Sequence, residues 1–110
     1  MDYSIEYYSD AVAAEIIAMP DTLAARYVVL TRRIATMGPN LGPPHTDTFG
    51  EGLFELRLKG QEGIARVFFC ALVGRRIVML HSFVKKTPKT PRREIELARK
   101  RMKEVKHANP

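Results

Sequence analysis

The segment GPNLGPPHTDTFGEG, residues 38–52, puts four glycines and three prolines into fifteen positions, a composition no helix interior tolerates. It divides the chain into two stretches of different periodicity. Before it, Leu23, Tyr27, Leu30, Ile34 and Met37 recur at spacings of three and four, the stripe of an amphipathic helix. After it, Phe54, Leu56 and Leu58 alternate with Glu55, Arg57 and Lys59, the period of a half-buried strand. A 110-residue chain of this pattern is expected to form one domain, 1–110, of the α+β class.

Local signals fill in the elements. Tyr3, Ile5 and Tyr7 alternate with Ser4 and Glu6, which suits a short N-terminal strand. Ser9 is a good cap for a helix from about Asp10 to Met19. Pro20 opens a second helix, and Gly38–Pro39 ends it. These two helices are expected to form an antiparallel hairpin, and residues 38–52 a long loop. Beyond Phe54–Lys59, turns at Gly60–Gly63 and Gly74–Arg75 separate strands over Ile64–Leu72 and Arg76–Val84. The result is a three-stranded antiparallel meander, with the N-terminal strand as a candidate fourth. After KKTPKTP, Thr90 as cap and Pro91 as first residue start a last helix. Its apolar stripe is Ile95, Ala98, Met102 and Val105, set among Arg92, Arg93, Arg99, Lys100, Arg101, Lys103 and Lys106.

Charge is unevenly divided. Residues 1–50 hold three basic and six acidic side chains; residues 51–110 hold fifteen and six. A half-chain this basic points to a polyanionic partner, nucleic acid before an anionic membrane surface. The longest apolar run, Val67–Val73, is too short to span a bilayer. The acidic start MDYSIEYYSD is no secretory signal, so the expected location is the cytoplasm. A lone Cys70 excludes an internal disulfide and a multi-cysteine zinc site, and is expected inside the sheet. The three histidines are scattered, no glycine-rich phosphate loop is present, and neither metal nor cofactor is expected.

Strand parity assigns side chains to faces. Arg57 and Lys59 fall on one side of the first meander strand, Arg66 shares a side with Ile64 and Phe68, and His81 and Phe83 share one with Lys85. Val78, Leu80 and Val84 are expected to point the other way, toward the helices. One face would then display Arg57, Lys59, Arg66, His81, Phe83 and Lys85 together. Cations there suit phosphate oxygens, and an exposed Phe suits an unpaired base.

The strings GLFELRLK (52–59), ARVFF (65–69) and IVMLHSFVKKTPKTPRREIELARKRM (77–102) occur in an order that resembles the RelE/HigB-like toxins of type II toxin–antitoxin modules. The phage-derived branch, with its "G-L-[YF]-E-L-R" strand and "L-H-x-F-x-K-K-T-x-K-T-P" ending, is the nearest in pattern. The resemblance implies a RelE-like fold, helices on one face of an antiparallel sheet. It implies a ribosome-dependent mRNA endoribonuclease that inhibits translation, neutralised by a cognate antitoxin, commonly a Cro-like helix-turn-helix protein. Operator DNA would be reached only through the toxin–antitoxin complex.

Such a cut needs a 2′-hydroxyl deprotonated, in-line attack on the adjacent phosphate, and stabilisation of the phosphate charge, with no metal. The resemblance assigns Arg57 and Arg66 to the phosphate. Lys85 or Lys86, with Lys85 preferred by parity, and His81 are the acid–base candidates. Lys59, Phe83, Lys89, Arg92 and Arg93 are the RNA-binding candidates, and His45 is read as a loop residue beside the groove. Relatives that carry a catalytic Tyr near the last strand differ from this chain, whose four Tyr all precede residue 28. That difference keeps two other readings open: a non-cleaving RNA- or ribosome-binding module, and a degenerate toxin acting only as an antitoxin-bound corepressor.

Overall fold

Ser9 shows how local chemistry sets an element boundary. Its backbone is extended (φ −156°, ψ 166°), and its hydroxyl accepts from Val12 N–H at 3.2 Å, capping the helix that follows. The computed structural model in which this is seen describes residues 2–86 and 89–109; Thr87 and Pro88 of KKTPKTP lie outside the described residues. In order, the elements are β1 (Ser4–Tyr7), α1 (Asp10–Ile17), α2 (Asp21–Met37), β2 (Thr46–Thr48), β3 (Leu53–Gly60), β4 (Gly63–Leu72), β5 (Arg76–Lys85) and α3 (Arg92–Ala108).

The β3–β4–β5 meander forms as its periodicity predicts, but the sheet is larger and mixed. Its order is β1-β5-β4-β3-β2. β1 runs parallel to β5, pairing Ser4 with Arg76 and Tyr7 with Met79, so the N-terminal strand joins the far edge without a hairpin. β2 arises inside the glycine- and proline-rich segment, where Thr46–Thr48 pair antiparallel with Phe54–Leu56. Three to four antiparallel strands thus become five. Three residues carry no readable period, and β2 exists because β3 offers it an edge.

The helices also differ from expectation. They cover both faces of the sheet, not one. α1 lies across β5, and α2 across β3 and β4, each packing more on the sheet than on the other, so the expected hairpin is two separately docked helices. Val12, Ile16, Leu23, Tyr27, Leu30 and Ile34 meet Leu56, Leu58, Val67, Phe69, Ile77 and Met79 in one core; Met37, the last residue of the α2 stripe, is exposed. α3 covers part of the opposite face, where Ala98 and Met102 close a second core over Leu53, Phe68, Cys70, Val78 and Leu80. Apolar area removed from water on both sides stabilises the sheet.

A bulge explains why parity misplaced Val78 and Leu80. Phe68 pairs with His81 but Phe69 with Met79, so Leu80 is an extra residue in β5. Leu80 and His81 therefore both serve the α3 face, and Arg101 Nη1 on α3 donates to the Leu80 carbonyl at 2.8 Å. α3 itself begins one residue later than predicted. Pro91 holds the cap position with no side-chain cap bond, and the Thr90 hydroxyl instead donates to Glu55 Oε1 at 3.4 Å. Among the described residues, no helix is long and apolar enough to cross a membrane.

Candidate active site

On the face shared with α3, the register stacks side chains in rows across β3, β4 and β5. Leu53, Cys70 and Val78 form the first row, under α3; burial pushes the Cys70 thiol up to about 11. Glu55, Phe68 and His81 form the second, Arg57, Arg66 and Phe83 the third, and Lys59, Ile64 and Lys85 the fourth. The face thus grades from core to cationic surface along the strands. α3 covers the apolar end, and its start marks the transition.

Glu55 organises the middle of this face. It is 1 % exposed, yet charged groups surround it: Arg66 Nε lies 3.1 Å from Oε1 and Arg57 Nε 3.4 Å from Oε2. Arg57 also approaches Asp47 Oδ2 of β2 at 3.5 Å, and Arg66 Nη1 donates to the Ala65 carbonyl at 3.2 Å. Arg66 is largely buried. Desolvation lowers its pKa, Glu55 opposes that shift, and a guanidinium remains charged in any case. The sequence shows Glu55 only as one polar residue in an alternating strand. Its burial comes from Thr90 and α3 closing over it, which no strand pattern encodes.

Lys85 stands one row beyond. Burial first, then the Arg66 charge, lower its pKa from the ordinary lysine value; Arg57 adds to the effect and Glu55 opposes it. A lysine beside two guanidiniums gives up its proton more readily, as a base needs. Phe83 is half-buried and stacks on His81, with ring centroids 6.0 Å apart and planes at 21°. His81 itself is 8 % exposed. Its Nε2 lies 2.8 Å from Glu94 Oε1 in the first turn of α3, and its Nδ1 is buried with no hydrogen-bond partner among the described residues. The ring lies parallel to Phe68 as well (1°). His81 is thus enclosed in a stack and tied to α3, not open to the groove.

The remaining predicted residues fall outside this cluster. Lys59 is exposed in the last row, and Lys86 is exposed just past the end of β5. Lys89, Arg92 and Arg93 are exposed around the start of α3, where Lys89 and Arg92 line a shallow cleft with Ile95 and Arg99. Several α3 cations are committed to the protein: Arg99 donates to the Phe49 carbonyl, Lys106 to that of Glu51 at 3.0 Å, and Arg101 sits over the Tyr8 ring. The structure brings together Arg57, Arg66, Phe83 and Lys85, with Lys59 beside them. Arg92 and Arg93 stand apart on the helix.

A family model described as phage-derived protein Gp49-like matches residues 14–103, from within α1 to within α3 and including every row of the site. No curated protein matches the chain. With most of its length covered by that model, the chain belongs to the phage-derived Gp49-like family, a family of toxin-like proteins.

Proposed function

We propose that the protein is the toxin of a type II toxin–antitoxin module and acts as a RelE/HigB-like, ribosome-dependent mRNA endoribonuclease. The observation that carries this reading is the cluster of Arg57, Arg66 and Lys85 on one sheet face, with the Lys85 pKa lowered by burial and Arg66. Lys85 Nζ takes the proton of an RNA 2′-hydroxyl. The 2′-oxygen then bonds to the adjacent phosphorus while the bond to the 5′-oxygen breaks, leaving a 2′,3′-cyclic phosphate. The departing 5′-oxygen takes a proton from water. Arg57 and Arg66 stabilise the charge on the phosphate, an electrostatic contribution worth most in a partly desolvated site. Phe83 stacks on a neighbouring base. His81 is a positioning residue, fixing Phe83 from below and the start of α3 through Glu94.

Under this reading the partners are translating ribosomes with mRNA, and an antitoxin that covers the cationic face. Operator DNA is met only through the complex with that antitoxin. The test is induction in a bacterial host of wild type beside Arg57→Ala, Arg66→Ala and Lys85→Ala. RNA 5′ ends are mapped on translated and untranslated copies of one transcript. Cuts confined to the translated copy, and lost in the folded variants, are expected. Growth arrest without cleavage would instead favour a ribosome-binding module, and neither effect would leave a corepressor.

A further inference from the structure

A cleft of about 280 Å³ opens where the sheet runs past β2. It is lined by Arg26, Pro44, His45, Arg57, Leu58, Lys59, Ile64 and Arg66. Four of these carry fixed positive charge, and none is a carboxylate. Its origin is topological. β2 pairs with β3 only at Phe54–Leu56, and the last contact on this side is Arg57 N–H donating to the His45 carbonyl at 2.8 Å. Beyond that point, among the described residues, β3 has no strand on its outer edge, and Lys59 projects beside an open margin.

Arg26 reaches this margin because of how α2 docks. A Cβ on Gly60 would lie 2.4 Å from Thr22 Oγ1, so only glycine allows the β3–β4 turn to meet the start of α2 this closely. Thr22 and Glu62 then clasp each other: Thr22 N–H donates to Glu62 Oε1 at 2.8 Å, and Glu62 N–H donates to Thr22 Oγ1 at 3.3 Å. Arg26 is four residues on, on the same side of the helix, which sets it over the cleft. On the other wall, His45 stands with its Nε2 3.4 Å from Arg33 Nη1, a further cation behind it.

We infer that this cleft holds a second phosphate of the bound RNA strand, beyond the scissile one, with Arg26 and Lys59 as its ligands and His45 as its wall. The inference rests on the reading above, in which RNA crosses Arg57 and Arg66. It adds a site on α2, from the acidic part of the sequence, and gives the strand a direction across the face: past Phe83, over the two arginines, and off the edge of β3. The chemistry fits an anion with several acceptor oxygens and no cation of its own.

Binding separates this inference from catalysis. Fluorescence anisotropy of a short single-stranded RNA, 2′-O-methylated throughout so that it cannot be cut, is measured over a range of salt concentrations. The proteins are wild type, Arg26→Gln, Arg26→Lys and Arg32→Gln, the last an exposed charge on the same helix outside the cleft. Arg26→Gln is expected to bind more weakly, with the slope of log affinity against log salt shallower by about 0.7, one phosphate contact. Arg26→Lys keeps the wild-type slope, and so does Arg32→Gln. Three results overturn the inference: an unchanged slope in Arg26→Gln, an equal loss in Arg32→Gln, or no binding by wild type at low salt. Cleavage of translated transcript is scored in parallel. Cutting with an unchanged Arg26→Gln slope removes the cleft and leaves the enzyme; a shallower Arg26→Gln slope with no cutting by wild type keeps the cleft and removes the enzyme.

Discussion

Glu55 is the residue on which the cationic face depends. Arg57, Arg66 and Lys85 would repel one another without a negative charge among them, and Glu55 supplies it from a fully buried position. Glu55→Gln keeps the shape and removes the charge. Breaking a buried pair on one side leaves the partly buried Arg66 without its counter-charge, and a loss of about 3 kcal/mol is expected from urea unfolding. The same variant has a second readout. Glu55 raises the Lys85 pKa, so its removal moves the Lys85 titration, followed by NMR of labelled lysine, further below the ordinary lysine value. A titration that stays in place would show that Glu55 serves packing alone. From the sequence, the candidates Arg57, Arg66 and Lys85 were legible because parity is local. Glu55 was not, because its burial depends on Thr90 arriving from 35 positions away.

At the scale of elements, the same distinction holds. α2 ends at Met37 before Gly38–Pro39, and β3, β4 and β5 fall within a residue or two of the ranges their alternation marks, since caps, turns and period are read within a few residues. β2, the parallel docking of β1 and the Leu80 bulge each depend on a strand elsewhere, and no local pattern announces them. The β1 attachment has a chemical signature of its own. Arg76 of β5 donates from Nε and Nη2 to both Glu6 carboxylate oxygens, at 2.7 and 2.8 Å, and from Nη1 to Asn109 beyond α3 at 3.0 Å. The Arg76 hydrogen bond lowers the Glu6 pKa from 4.5. A lowered carboxyl pKa stabilises the fold above the unfolded value and loses that contribution as pH falls through the folded one. Arg76→Gln is therefore expected to be less stable than wild type at neutral pH, with the difference shrinking as pH drops below 4.5. Thermal unfolding of both proteins across that window checks it; a constant gap would place the effect in packing.

For the molecule as a whole, charge and layer coincide. The residues before the glycine- and proline-rich segment build α1 and α2 on one side and carry most of the excess acid. Most of the fifteen basic residues after position 50 lie in β3, β4, β5 and α3, and Arg57, Lys59, Arg66, Lys85 and the α3 cations are on the side that α3 covers. The charge count in the sequence thus reads out as a direction in space, which orients the protein in the field of a polyanion before contact. On the proposed reading, four phosphate contacts, from Arg57, Arg66, Lys59 and Arg26, predict that RNA binding weakens about fiftyfold between about 50 and 200 mM salt. Titration of the non-cleavable RNA at both concentrations measures this. A change of less than about threefold would mean that stacking on Phe83, not charge, dominates the contact.

The docking of α3 also sets an order in time. Ribosomes deliver a chain from its N-terminus, so β1 waits for Arg76–Met79 before it has a neighbour, and α1 and α2 wait for the strands they cover. Thr90 and Glu94, which hold Glu55 and His81, come later still. A cationic face completed by α3 is therefore assembled only after most of this domain has been synthesised, and until then its buried carboxylate and its stacked histidine lack the partners that fix them.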